Sequence, residues 1–209
     1  MKELWLIRHG ETAWNAEKRF QGHLDVPLSP VGIGQAFRLA QRLARSRQAF
    51  DSLHASDLRR ARETAEPLAA ALGLPLQTTP LLREIDVGKL AGLTREEAEA
   101  RYPDFAQSLL QDPWHTPRPG GESMAQLAQR FQAFLEGLPP GRHLVVTHGG
   151  IIRAALKLAL GLEGDTWRRF HIPNTSITRV LFPGLEVLSV ADAGHLETWS
   201  DWLSDESLQ

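Results

Sequence analysis

The chain contains no cysteine. Disulfide staples, thiolate nucleophiles and cysteine-ligated metal sites are therefore excluded. No run approaches the roughly 18 apolar residues that cross a bilayer, and the short apolar stretch at residues 4–7 does not make the core of a secretory signal. A cytoplasmic protein with no membrane partner is the expectation. Charge of one sign is lacking as well: 23 Lys and Arg stand against 25 Asp and Glu, a formal net charge of −2. That balance excludes nucleic-acid binding through bulk charge but permits a local positive pocket. Lysine is scarce, four residues against 19 arginines, and asparagine occurs only at positions 15 and 174. GC-rich coding accounts for this bias, since thermophile composition favours Lys and Glu.

What remains is ordinary for a globular protein: 209 residues, 42% hydrophobic and 23% charged. A length prior of about 150 residues per domain predicts one domain over 1–209, with a cap-like insertion at about 85–120. Residues 4–8 form an apolar run that stops at His9-Gly10, the mark of a buried strand ending in a turn. Ser29-Pro30 opens a helix, Ser29 as cap and Pro30 in the first turn. Its apolar face is predicted at Ile33, Ala36, Phe37, Ala40, Leu43 and Ala44, with Arg38, Gln41, Arg42 and Arg45 solvated. Further strands are predicted at 49–54, 75–79 and 143–147. Further helices are predicted at 58–72 (closed by Gly73), at 94–101 with a Thr94/Glu97 capping box, at 122–138, and from about 150 to 160. Residues 102–121, rich in proline, read as loop. Two late runs, 177–182 and 186–190, read as a hairpin around Pro183-Gly184. Alternating strands and helices predict a three-layer α/β/α sandwich on a mostly parallel sheet.

Two strands end alike, in Arg8-His9-Gly10 and in Thr147-His148-Gly149-Gly150. Ligands bind at the carboxyl ends of strands in open α/β sheets, so neighbouring strands would bring both histidines to one cleft. Glycine after each histidine lets backbone amides approach an anion. A third strand end, followed by Ser56-Asp57-Leu58-Arg59-Arg60, adds arginine, whose planar fork suits phosphate. Glu84 or Asp86, in Leu82-Arg83-Glu84-Ile85-Asp86, supplies a carboxyl whose pKa a phosphate-rich, partly desolvated site would raise toward that of a general acid.

In order along the chain stand Leu6-Ile7-Arg8-His9-Gly10-Glu11-Thr12-Ala13-Trp14-Asn15, Gln21-Gly22, Ser56-Asp57-Leu58 with Arg60-Ala61, Leu82-Arg83-Glu84, Pro119-Gly120-Gly121-Glu122-Ser123 and Val146-Thr147-His148-Gly149. Together they closely resemble the histidine phosphatase superfamily, which includes the cofactor-dependent phosphoglycerate mutases. The resemblance implies a phosphoglycerate mutase-like fold, a phosphohistidine on His9, and a phosphate pocket of Arg8, Arg60 and His148. Asn15, Gln21, Gly22 and Gly149 follow as further phosphate or substrate contacts, and Glu84 as the acid that serves the leaving oxygen and then water. It implies neither metal nor cofactor, and a small phosphorylated metabolite as partner.

The chain departs from the family where many phosphatases carry an aromatic-acidic pair, since Lys89-Leu90-Ala91 follows Gly88 here. True mutases are longer in the middle and at the C-terminus, which favours hydrolysis over the mutase alternative; an inactive phosphate-binding module is the third possibility. Among the remaining residues, His54, His143 and His195 read as structural, His23 and His115 as cleft-bordering, and Asp86 as a loop or capping residue. Arg59 and Arg62 read as solvated, Trp14 and Phe20 as packing, and Trp114 with Arg118 as a candidate substrate wall. His171 has no assigned role, Asn174-Thr175-Ser176 is a sequon without function, and residues 200–209 are a polar tail.

Overall fold

A computed structural model describes residues 1–184 and 186–196; the predicted polar tail lies outside them. Six strands form one mixed sheet: β1 (Lys2–Arg8), β2 (Ser52–Ser56), β3 (Leu76–Thr79), β4 (Gly141–Thr147), β5 (Ile177–Phe182) and β6 (Glu186–Asp192). Their spatial order is β3-β2-β4-β1-β5-β6. The first four run parallel, β5 runs antiparallel to them, and β6 runs antiparallel to β5. The helices are α1 (Ala13–Ala16), α2 (Pro30–Ser46), α3 (Arg59–Leu72), α4 (Arg95–Arg101), α5 (Pro103–Gln111), α6 (Met124–Gly137) and α7 (Gly149–Leu160).

The two central strands are buried on both sides, and their side chains alternate between two cores. Leu4, Leu6 and Val145 pack with Phe131 of α6 and Ile151 of α7. Trp5, Ile7, Leu144 and Val146 pack with Leu39 and Leu43 of α2 and Ala61, Ala65 and Leu68 of α3. Helices therefore cover both faces, which is the predicted three-layer α/β/α sandwich, with the late hairpin closing one edge.

Three predictions are corrected. The second strand starts later, at Ser52, because the Asp51 carboxylate accepts the Arg142 amide and pairing begins only at Ser52 opposite His143. Residues 103–111, predicted as loop, form α5; Pro103 starts it at the position proline favours, and Phe105, Ala106 and Leu109 make a half-buried stripe too short to read as a period. On α2, Ser29 caps the Gly32 amide as predicted, but Ile33, Phe37 and Ala44 face outward. Gly32, Gln35, Ala36, Leu39, Ala40 and Leu43 face inward instead. Close backbone approach sets this rotation. A Cβ on Gly32 would lie 2.1 Å from the Glu11 carbonyl oxygen, and Gln35 accepts the Glu11 amide at 2.9 Å.

Leu39→Ala should therefore destabilise the fold by about 2–5 kcal/mol, the cost of a core cavity. Phe37→Ala should stay within about 0.5 kcal/mol. Urea midpoints distinguish the two, and equal losses would put Phe37 in the core.

Candidate active site

Parallel pairing of β1 with β4 sets Arg8 opposite Thr147, so the next residue on each strand is a histidine at the same sheet edge. The His9 and His148 rings lie 5.1 Å apart, tilted by 58°, and both are buried. His9 Nδ1–H donates to the Gly10 carbonyl at 2.7 Å, which leaves the Nε2 lone pair for chemistry. The His9 amide donates to Thr147 O at 2.9 Å, and the Gly10 amide donates to Thr64 Oγ1 at 2.9 Å. From the other side, Asn174 Nδ2 donates to the His9 carbonyl at 2.9 Å and the Thr175 amide to the Arg8 carbonyl at 2.9 Å. The predicted sequon is thus a buried clamp on the Arg8-His9-Gly10 turn, closed to carbohydrate.

Burial, then the Arg60 and Arg8 cations, hold the His9 pKa well below its ordinary value. Burial, then Arg60 and His9, do the same for His148, whose two ring nitrogens have no hydrogen-bond partner among the described residues. Arg60, 1% exposed, donates to the carbonyls of Leu24 (2.8 Å) and Gly22 (2.7 Å). Burial pulls its pKa down to about 10, so it stays a cation at neutral pH. Arg8 is anchored on Ile172 O at 2.6 Å.

Glu84 reaches the site from the connection after β3. Its carboxylate accepts the Ile85 amide at 2.8 Å and the Gly150 amide, at the start of α7, at 3.1 Å. A Cβ on Gly150 would fall 2.1 Å from Glu84 Oε1, so only glycine admits the carboxylate here. The backbone of Glu84 is held by Arg130 (3.2 Å) and by His23 (2.8 Å). Arg130 also pairs with Glu122 at 2.9 Å, and Glu122 in turn accepts the Asp86 amide.

These groups meet a cleft of about 510 Å³. Arg8, His9, Asn15, Gln21, Gly22, Arg60 and Glu84 line it. His148 and Gly149 do not; His148 stands against the His9 ring, and the amide that reaches Glu84 belongs to Gly150. Asn15 Oδ1 is engaged by the Thr12 amide in a capping box, so its Nδ2 amide is what it can offer an anion. Arg118 lines the cleft, but Trp114, the candidate wall residue beside it in the insertion, does not; it packs edge-on against Trp167 at 5.6 Å. His115 pairs with Asp112 on the surface instead of bordering the cleft. Phe20 both packs on the core and lines the cleft.

Arg59 pairs with Glu63 on the surface. His54 and His143 join through Ser52 at the far end of the sheet, and His195 bonds Thr175 Oγ1 at 2.9 Å, all consistent with structural roles. Sequence reasoning missed Arg19, Arg95, Arg153, Arg168 and Trp167 on the cleft wall. Arg153 alone carried a signal, one helical turn beyond the His148-Gly149 motif. No group of His, Asp or Glu among the described residues gathers in the way a metal ion requires.

The family model described as histidine phosphatase superfamily, branch 1, matches residues 4–189. The chain belongs to the histidine phosphatase superfamily. A Yersinia pestis relative named "Probable phosphoglycerate mutase GpmB" is 35% identical over 208 residues, covering 94% of this chain and 96% of that one. A phosphoserine phosphatase from Entamoeba histolytica, solved as its H9A mutant with phosphoserine, superposes with a TM-score of 0.81 at 30% identity, covering 94% and 100% of the two chains. A mycobacterial glucosyl-3-phosphoglycerate phosphatase superposes with a TM-score of 0.76 at 31% identity, covering 87% and 93%. Superfamily enzymes of this kind are phosphatases or mutases.

Two outcomes follow for this superfamily member. Gly150→Ala should push the Glu84 carboxylate aside and lower phosphoryl-transfer kcat/KM about a hundredfold, the scale of a displacement of about 1 Å. The melting temperature should change little, because the displaced atoms end a flexible side chain; unaltered kinetics would deny Glu84 its role. His9 and His148 are neutral in the fold but titrate near 6.5 once unfolded, so the unfolded chain binds more protons below that pH. Stability should be full above pH 6.5 and fall below it by up to about 1.4 kcal/mol per pH unit for each histidine. Urea unfolding between pH 5 and 7 reads this, and a flat profile would mean that both imidazoles accept protons in place.

Proposed function

We propose that this protein is a metal-independent phosphatase that hydrolyses a small phosphomonoester through a phosphohistidine on His9. The observation that carries the reading is a neutral, buried imidazole whose Nδ1 is tied to Gly10 O while two arginines and one carboxylate share its cleft. The Nε2 lone pair attacks phosphorus, the ester P–O bond breaks, and the leaving oxygen takes a proton from Glu84. Arg8 and Arg60 neutralise the non-bridging oxygens through fixed charge instead of mobile solvent, and His148, a neutral imidazole against the His9 ring, adds an N–H donor and no charge. Water then attacks the phosphohistidine, Glu84 takes its proton, the P–N bond breaks and the electron pair returns to Nε2. Burial holds the imidazole neutral first, and the arginines that add to this are the ones that bind the phosphoryl group, so activation and binding share a cause.

Two phosphatase relatives among the solved structures support water as acceptor. The relative with a mutase name matches this chain over nearly its full length, so chain length alone does not separate the two. Mutase activity is the second reading, favoured by that name, and adding a bisphosphorylated primer tests it: stimulated interconversion without phosphate release would replace the phosphatase.

His9→Ala should remove p-nitrophenyl phosphate hydrolysis and the acid-labile phosphoenzyme while the circular dichroism spectrum is retained. Glu84→Gln should slow esters with poor leaving groups at least tenfold more than p-nitrophenyl phosphate. Residual turnover in the first variant, or a uniform loss in the second, would reassign the nucleophile or the acid.

A further inference from the structure

After β6 the chain turns back behind the nucleophile. Ala193 and Leu196 are buried, and the Leu196 amide donates to Ala193 O at 2.9 Å, which fixes the turn that presents His195. His195 Nε2 lies 2.9 Å from Thr175 Oγ1. That hydroxyl gives its one hydrogen to Asn174 O at 2.8 Å. His195 must therefore donate from Nε2 and keep its lone pair on Nδ1. Arg42 Nη1 faces that lone pair at 3.5 Å and is itself held by Asp192 Oδ1 at 2.9 Å. A proton on Nδ1 would set a second N–H against a guanidinium. Burial, then Arg42, pull the His195 pKa down to about 4, so the ring is neutral and its tautomer is fixed from both ends.

Thr175 is where this bond arrives. Its φ is +58°, a left-handed conformation that a β-branched side chain rarely adopts, and it is wholly buried. The Ser176 amide closes the turn on Pro173 O at 3.1 Å. Strain of this kind persists only where the surroundings over-determine it. In this geometry the Thr175 amide meets the Arg8 carbonyl and Asn174 Nδ2 meets the His9 carbonyl, both at 2.9 Å. Those two carbonyls belong to the peptide planes on either side of the His9 Cα. Holding both planes sets the direction of the side chain.

We propose, on the phosphatase reading above, that His195 is a positioning residue for the nucleophile: through the Thr175 hydroxyl it locks the strained turn whose two donors aim His9 Nε2 at phosphorus. His195 does not line the cleft and never meets the substrate. Arg60 and Glu84 are held by other contacts, on Gly22 and Leu24 and on Gly150. Loss of the relay therefore spares binding and costs the chemical step.

His195→Phe keeps a ring and removes both nitrogens, whereas His195→Gln restores an N–H for Thr175 Oγ1 and an oxygen for Arg42. With p-nitrophenyl phosphate, His195→Phe should lower kcat at least about tenfold and leave KM within about threefold; His195→Gln should recover most of the loss. A histidine that only stabilised the fold would lower the melting temperature and leave kcat per folded molecule intact. Thr175→Val against Thr175→Ser makes the same comparison at the hydroxyl and serves if His195→Phe does not fold. Nitrogen NMR of the His9 ring reads the geometry without turnover. The unsubstituted protein should show a protonated Nδ1 and a bare Nε2, and the Phe or Val variant a mixture of the two tautomers. An unchanged kcat, an unchanged His9 spectrum, or a conservative variant as slow as its partner overturns the positioning role. A spectrum that changes in a protein that forms no phosphoenzyme keeps that role and removes the phosphatase reading.

Discussion

The parallel pairing of β1 with β4 is the constraint on which the rest depends. A register that sets Arg8 against Thr147 delivers His9 and His148 to the same edge, with their rings 5.1 Å apart. Parallel strands exchange evenly spaced, slanted hydrogen bonds, so the register is fixed along the whole pair and not only at its end. A slip of one residue would turn Leu4, Leu6, Trp5 and Ile7 to the wrong cores. The apolar packing of two layers thus holds the positions of two imidazoles that make little of that packing themselves.

Around that pair the protein collects positive charge by burying it. Arg60 is almost wholly enclosed and bonded to backbone carbonyls, which satisfy its donors without cancelling its charge. A carboxylate partner would have neutralised it. Elsewhere arginines pair with acids in the usual way: Arg83 with Asp57 and Arg142 with Glu3. The contrast explains how a chain of net charge −2 sustains a strongly cationic cleft. Charges balanced by peptide dipoles keep their field for a ligand, whereas charges balanced by carboxylates do not.

Support for Glu84 comes from glycines and one distant arginine. Gly150 leaves room for the carboxylate, and Gly121 lets the 118–122 segment lie against the backbone of Asp86, where a Cβ would meet the carbonyl at 2.2 Å. Arg130, one side of α6, binds the carbonyls of Leu81, Arg83 and Glu84. The Gly-Gly-Glu-Ser stretch is therefore a brace for the acid.

By itself the sequence determined the strand-end motifs, the caps at Ser29 and Thr94, and the membership of His9, Arg8, Arg60 and Glu84 in one site. Each of these is written locally, in a residue type and its immediate neighbours or in a run of motifs in family order. Tertiary structure alone decided the rotation of α2, which a glycine contact governs against the pull of Ile33 and Phe37. It also decided the existence of α5, whose half-buried stripe of Phe105, Ala106 and Leu109 is too short to read as a period, and the burial of Asn174-Thr175-Ser176 under the Arg8-His9-Gly10 turn. The outer wall of the cleft belongs with these. Arg118, Trp167 and Arg168 come from segments some fifty residues apart, and packing across the sheet edge, which no periodicity encodes, brings them to the wall of one cleft.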